Sequence, residues 1–175
     1  MDPEEQYHVF RAGGYALCQW EHMEAEYANM FALFRGKPGD LELVRAFGQI
    51  GSVYSYRIAQ LRYSAEKYFV SHPNQDDEGL LHSLIGESDA LSLERHRIAH
   101  GVTVLMLRIE LEPPRWVWGY SAPWYAEHRL KTGDYPYHYD ADTVAEFGMT
   151  FARLAQKVSC FREHLEISGR AAGRP

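Results

Sequence analysis

The chain has 175 residues, with 18 Lys and Arg residues against 24 Asp and Glu residues and a formal net charge of -6. This length predicts one domain that buries a core without disulfide or metal support. The acidic balance argues against a broad nucleic-acid-binding surface, so any nucleic-acid contact is expected to be local. Hydrophobic residues at 46% and charged residues at 24% argue against disorder over most of the chain.

The cysteines and the first residues indicate where the protein resides. Cys18 and Cys160 each fall inside an apolar helical pattern without Cys or His at zinc spacing, which predicts reduced thiols in the core. The start MDPEEQYH carries acids where a signal peptide needs basic residues and an apolar run, and no segment has the length of a transmembrane helix. We therefore expect a cytoplasmic protein that does not contact a membrane.

The first half of the chain predicts two long helices. Asp2 suits the N-cap of the first, and an apolar stripe at spacings of three and four continues it to Phe34, with a kink at Gly13 and Gly14. The segment GKPGD ends this helix, and its last residue, Asp40, is expected to cap a second helix that continues to Tyr68.

The second half predicts two more helices with a β-hairpin between them. A third helix ends near Gly101, which is expected to form a left-handed C-terminal cap. Alternating apolar residues on both sides of EPPR predict a hairpin over about 102–120. Asp140 or Asp142 is expected to cap the last helix, and residues 168–175 form a frayed tail.

These elements predict an all-α fold. Four antiparallel helices bury their stripes most simply as an up-and-down four-helix bundle, with the β-hairpin inserted before the last long helix. The single helical domain is expected to span residues 1–167.

The most informative stretch is the end of the third helix, which reads ERHRIAHG from Glu94 to Gly101. On an ideal helix, Arg95 and His100 are separated by about 140°, so they diverge unless the last turn unwinds toward Gly101. Arg offers a planar fork for phosphate and His titrates near neutrality, which is the pair of properties that metal-free RNA cleavage needs.

This stretch resembles the motif of the HEPN domains, all-helical proteins in which Arg, a polar residue, three further residues and His end a helix. Arg95, His96 and His100 match the motif. The pair Trp20 and Glu21 early in the first helix and the hairpin after the His are similar to features of bacterial members. Together these features cover most of the chain.

The resemblance implies a homodimer in which two motifs face each other and cut single-stranded RNA without a metal or another cofactor. His100 would take the proton from a ribose 2′-hydroxyl, Arg95 would stabilise the charge on phosphorus, and His96 or the partner's His100 would protonate the leaving oxygen. Arg97 adds a further positive charge for RNA. Members of the family also act in toxin–antitoxin and defence systems, so an antitoxin or regulatory protein is an expected partner. Val102 replaces the Tyr that is nucleotidylated in one subgroup, so that mode of control is not expected.

Alternative interpretations of the same residues stay open. Arg95 lies on the inward stripe and would then pair with Glu24 of the first helix, for which Arg57 is a rival partner. The domain would in that case be a non-catalytic module of HEPN-like shape that binds nucleotide, RNA or a protein. His96 and His100, one turn apart, would also suit a metal-binding bundle whose third ligand is His22, His72 or His82.

Aromatic residues follow the motif and have two interpretations. They would stack RNA bases beside Arg108, Arg115 and Arg129, or they would cover the hairpin and form a dimer interface. Because basic residues are not dense here, we favour cover or interface. The set comprises Trp116, Trp118, Tyr120, Trp124, Tyr125, Tyr135, Tyr137 and Tyr139.

Overall fold

A computed structural model describes residues 3–51, 53–123 and 137–171. It confirms that the chain is mostly helical. In chain order the elements are α1 (Pro3–Phe34), α2 (Leu41–Gln49), α3 (Tyr54–Ser71), α4 (Gln75–His100), β1 (Val102–Arg108), β2 (Arg115–Ser121), β3 (His138–Asp140) and α5 (Ala141–Ala171). Asp2, the predicted cap of the first helix, lies outside the described residues.

The chain divides into two compact units. The first, which we call the sheet unit, combines Met1–Trp20 with Leu93–Ala152, and the second, the helical unit, combines Glu21–Ser92 with Arg153–Pro175. The predicted motif at the end of α4 therefore lies in the sheet unit.

The segment predicted as one helix after Asp40 is two helices, α2 and α3. Asp40 caps α2 as predicted, because its carboxylate accepts hydrogen bonds from the backbone N–H groups of Glu42 at 2.9 Å and Leu43 at 3.2 Å. The helix then ends at Gln49 with Ile50 as its C-cap, and Gly51 takes a φ of 62°, a left-handed conformation that glycine adopts without steric cost. The apolar stripe continues across this break, which is why periodicity alone predicted one continuous helix.

The predicted hairpin is confirmed as β1 and β2, which pair antiparallel from Val102 opposite Ser121 to Arg108 opposite Arg115. A third strand, β3, was not predicted. It pairs antiparallel with β2 and places Tyr139 opposite Tyr120. With three residues it is too short for a period-two pattern, so the sequence carries no separate signal for it.

Close packing explains the glycines of the sheet unit. A Cβ at Gly13 would lie 2.2 Å from the hydroxyl oxygen of Tyr120, so only glycine lets α1 approach the sheet this closely. Helix α1 is one continuous element through this position, and Gly14 has open space around it. At Gly148 on α5, a Cβ would lie 2.7 Å from the ring of Tyr15 on α1. Gly13 and Gly148 therefore allow close packing between elements.

The core of the helical unit contains buried polar groups. The carboxylate of Glu24 on α1 lies 2.5 Å from the guanidinium of Arg57 on α3, and both side chains are only 12% exposed. In the same unit, the hydroxyl of Tyr27 donates a hydrogen bond to the Leu84 carbonyl at 3.1 Å. The fully buried Ser88 contacts the hydroxyls of both Tyr27 and Tyr54. Of the two partners predicted for Glu24, the structure shows an ion pair with Arg57.

Three local predictions need correction. Cys18 and Cys160 are exposed, because each lies on the outer side of its helix rather than in the core. Gly101 is not a left-handed cap: the described glycines with positive φ are Gly36, Gly39 and Gly51. The last helix also continues to Ala171, so residues 168–171 are helical rather than frayed.

At the start of α5, Asp140 provides the cap: its Oδ1 accepts a hydrogen bond from the Thr143 backbone N–H at 2.9 Å. Of the two candidate caps, this identifies Asp140. Separately, no helix in the described part of the chain is long and apolar enough to cross a membrane.

Candidate functional site

The last turn of α4 brings His96 and His100 together. Residues four apart lie on the same side of a helix, and the two imidazole ring centroids are 4.5 Å apart at an interplanar angle of 48°. His100 is exposed to solvent and His96 is half-buried. The arrangement places two imidazole groups side by side at the end of the helix.

Arg95 occupies a different side of the same turn. Helix α4 stays regular through His100, so the unwinding that would turn His100 toward Arg95 is not present. Ideal geometry then leaves the two side chains about 140° apart around the helix axis. Arg95 is half-buried and its Nε atom is shielded from solvent. The motif residues that the structure joins directly are therefore the two histidines.

Arg97, predicted together with Arg95 to bind RNA, is held within the protein. Its Nη1 lies 3.0 Å from Oε1 of Glu94 and donates a hydrogen bond to the hydroxyl of Tyr139 at 3.0 Å. The same hydroxyl donates to the other carboxylate oxygen of Glu94. The Arg97 side chain is only 21% exposed. Through these contacts Arg97 positions the end of α4 against β3.

The protonation states in this cluster follow from the contacts. Burial lowers the pKa of Arg97, but the hydrogen bond with Tyr139 and the charge of Glu94 outweigh it, so the pKa lies above its ordinary value. Burial and the hydrogen bond to Glu94 raise the pKa of Tyr139 to about 12. Arg97 therefore stays a cation and Tyr139 a neutral phenol throughout the physiological range.

Tyr137 and Gly101 fix the helix end itself. The Tyr137 hydroxyl donates to the Arg97 carbonyl at 2.8 Å, which satisfies one of the carbonyls that a helix C-terminus leaves open. A Cβ at Gly101 would lie 2.7 Å from that carbonyl oxygen and 3.0 Å from the Tyr137 hydroxyl. Glycine is needed here for close approach, which lets β1 begin directly after α4.

The aromatic residues of the hairpin divide into two groups. Tyr120 is buried against Gly13 and Trp118 is half-buried, so this end of the hairpin covers the core as predicted. At the other end Trp116 is 58% exposed and its cross-strand neighbour Leu107 is 47% exposed. Trp124, Tyr125, Arg129 and Tyr135 lie outside the described residues.

The described residues do not complete a metal site. In residues 3–51, 53–123 and 137–171, no three His, Cys, Asp or Glu side chains are grouped so that they could hold a metal ion. Of the predicted third ligands, His72 stacks on Tyr68 at 4.4 Å and His82 lies 3.4 Å from Arg62.

Sequence reasoning missed His138 as a site candidate. It lies in β3, both of its ring nitrogens are shielded from solvent, and a Cβ at Gly119 would lie 2.6 Å from its ring. Burial and the neighbouring charge of Arg108 lower its pKa.

Comparison of the chain with protein-family models, with curated proteins and with solved structures finds no significant match.

Proposed function

We propose that this protein is a metal-independent endoribonuclease of the HEPN type that cleaves single-stranded RNA. The observation that carries the proposal is the pair of imidazoles, His96 and His100, whose ring centroids are 4.5 Å apart at the exposed end of α4. Cleavage by 2′-hydroxyl attack needs one group that removes a proton and one that supplies a proton, and a close histidine pair provides both.

The proposed reaction uses each motif residue for one task. His100, the more exposed imidazole, removes the proton of the ribose 2′-hydroxyl, whose oxygen then bonds to the adjacent phosphorus. His96 gives a proton to the 5′-oxygen as its bond to phosphorus breaks, so the products are a 2′,3′-cyclic phosphate and a 5′-hydroxyl. Arg95 stabilises the additional negative charge on the phosphoryl oxygens.

Recognition of RNA would be local, as the net charge of -6 requires. Arg97 is engaged by Glu94 and Tyr139, so its proposed contribution to RNA binding is to hold the end of α4 in place rather than to make a direct bidentate contact. We assign the direct phosphate contact to Arg95.

We further propose that the protein acts as a homodimer. Trp116 and Leu107 form an exposed cross-strand apolar pair, and aromatic residues are enriched at protein interfaces. A second subunit would supply another motif to the same RNA. Sedimentation equilibrium of the native chain and of Trp116→Ser measures this, with a weaker dimer expected for the variant.

A non-catalytic module that binds nucleotide, RNA or a protein is the second candidate. It is favoured by the regular helix through His100, which keeps Arg95 and His100 on different sides of α4. The two candidates make opposite predictions for RNA cleavage.

The test is cleavage of a 5′-labelled single-stranded RNA in EDTA by the native protein and by His100→Ala, His96→Ala and Arg95→Ala. His82→Ala is the matched control, because His82 is exposed on the same helix but outside the motif. We expect each motif variant to lose at least about 100-fold in rate, the usual contribution of general acid–base catalysis, and the control to keep native activity.

If the native protein binds RNA but does not cleave it, this result would instead support the non-catalytic module. Cleavage that all three motif variants retain would contradict the assignment of the site, and loss of native activity in EDTA would contradict metal independence.

A further inference from the structure

The helical unit contains an open cavity of about 390 Å³ at the ends of α1, α3 and α5. Its apolar lining comes from Leu33 and Phe34 on α1, Tyr68 on α3 and Leu165 on α5. A volume of this size is in the range of pockets that bind small organic molecules. The RNA cleavage proposed above does not use this cavity.

Two cations, Arg35 and Lys67, stand at the cavity. Nε of Arg35 donates to the buried Ser64 hydroxyl at 3.2 Å, and its guanidinium carbon lies 5.1 Å from the Phe31 ring centroid. Nζ of Lys67 lies 4.2 Å from the Tyr63 ring centroid. Both charged groups are thus placed by contacts with neutral groups.

Neither cation is neutralised by a carboxylate in the described part of the chain. Glu166 also lines the cavity; its Oε1 lies 2.7 Å from Arg162, whose guanidinium is shared with Glu26 and Glu163. The charged side chains that line the cavity are therefore two cations and one carboxylate.

The helix ends at the cavity oppose this charge only in part. A helix C-terminus carries about half a negative charge, and α1, α3 and α5 all end at the cavity, so their dipoles offset part of the positive charge. At the end of α1 the backbone N–H groups of Gly36 and Lys37 bond to the carbonyls of Leu33 and Ala32, which weakens the effect of that helix end. Arg35 and Lys67 remain the cationic groups at the cavity that can contact an anion directly.

We propose that this cavity binds a small molecule with an apolar body and one carboxylate group. The apolar part would lie against Phe34, Tyr68 and Leu165, and the carboxylate would lie between Arg35 and Lys67. His72 also lines the cavity; its Nδ1 lies 3.0 Å from the Tyr68 carbonyl and its ring stacks on Tyr68, so the ring is held in one orientation. Tyr68 thereby becomes a rigid wall of the site.

Calorimetric titration with decanoate, decan-1-ol and decyltrimethylammonium below their micellar concentrations tests the proposal. We expect decanoate to bind once per chain, more tightly than the alcohol, and the cationic compound to bind least. Lys67→Gln should weaken decanoate binding about threefold, the scale of an exposed charge pair, and raising the salt concentration should weaken it as well. Lys157→Gln is the control, because it removes an exposed charge from α5 away from the cavity lining.

Gly169→Phe tests the space independently of the charge. A Cβ at Gly169 meets no atom within 4 Å, so a larger side chain can enter the cavity without a backbone clash, and decanoate binding should be lost. Native affinity in Gly169→Phe, or equal affinity for decanoate and decan-1-ol, would overturn the proposal, as would the absence of decanoate binding to the native protein. None of these measurements depends on RNA cleavage.

Discussion

Arg97 donates a hydrogen bond from Nη1 to the hydroxyl of Tyr139 across 3.0 Å, although 42 positions separate the two residues in the chain. The contact joins the last turn of α4 to β3, the shortest strand of the sheet. Glu94 binds both residues and balances the positive charge. The two histidines of the proposed site extend from the turn that this cluster holds, so its integrity should affect their position.

Removing the Tyr139 hydroxyl tests that role. Tyr139→Phe leaves Glu94 and Arg97 each without one hydrogen bond, and bonds to charged groups contribute about 1.5–3 kcal/mol. We expect the free energy of unfolding, measured with urea, to decrease by about 1.5–3 kcal/mol. RNA cleavage should fall through a higher KM with little change in the kcat pH profile, because the variant misplaces the site without removing a reacting group.

Tyr63→Phe is the control for this prediction, because Tyr63 is an exposed tyrosine on α3. Its stability should stay within about 0.5 kcal/mol of native. Equal losses in both variants would contradict a specific role for Tyr139.

The buried ion pair of Glu24 and Arg57 makes a second prediction. Glu24→Ala leaves the charge of Arg57 in a site where the side chain is only 12% exposed, and breaking a buried pair in this way costs about 3–5 kcal/mol. The exposed pair of Lys157 and Glu87 is the matched comparison, with side chains 55% and 38% exposed, and Lys157→Ala should cost less than about 1 kcal/mol. Urea unfolding of both variants measures the difference, and equal costs would show that burial does not govern the Glu24 pair.

A third prediction concerns the adjacent glycines Gly13 and Gly14 in α1, whose substitution by alanine should change the stability of the protein in opposite directions. Gly13→Ala places a methyl group 2.2 Å from the Tyr120 hydroxyl and should destabilise the protein by about 1–3 kcal/mol. Gly14→Ala meets no atom within 4 Å and should stabilise it by up to about 1 kcal/mol, because alanine is the better helix former. Thermal and urea unfolding measure both. Destabilisation by both substitutions would mean that helix α1 itself needs the glycines, and partial rescue of Gly13→Ala by Tyr120→Phe would confirm the clash.

Asp140 makes a prediction about pH. Burial raises its pKa, but hydrogen bonds from Thr143 and the charge of Arg108 outweigh burial and hold the pKa below its ordinary value. The unfolded chain therefore takes up the proton first as the pH falls, so the stabilisation is complete above about pH 4 and is lost as the pH falls through the folded-state pKa. Asp140→Asn keeps a capping oxygen but removes the charge.

Urea unfolding of native protein and Asp140→Asn between pH 7 and pH 2.5 checks this dependence. The variant should be less stable at pH 7, and the difference should shrink toward the acidic end. A difference that stays constant over this range would show that the charge of Asp140 does not contribute.

The sequence by itself determined the features that depend on neighbouring residues. Apolar spacing predicted α1, α4 and α5, and alternation predicted the hairpin. Asp40, and either Asp140 or Asp142, were placed at helix starts because a cap acts over only two or three positions. The i and i+4 spacing of His96 and His100 likewise predicted that the two rings share one side of α4, because helix geometry alone fixes it.

Only the tertiary structure decided the features that join distant segments. The role of Gly13 depends on Tyr120, and the engagement of Arg97 depends on Tyr139 in a strand too short to leave a period in the sequence. The same holds for the break at Gly51 within a continuous apolar stripe, and for the cavity whose two cations, Arg35 just after α1 and Lys67 on α3, come from distant parts of the chain. Periodicity records which side of an element faces the core, whereas these contacts depend on which segment packs there and at what distance, and only the folded chain determines both.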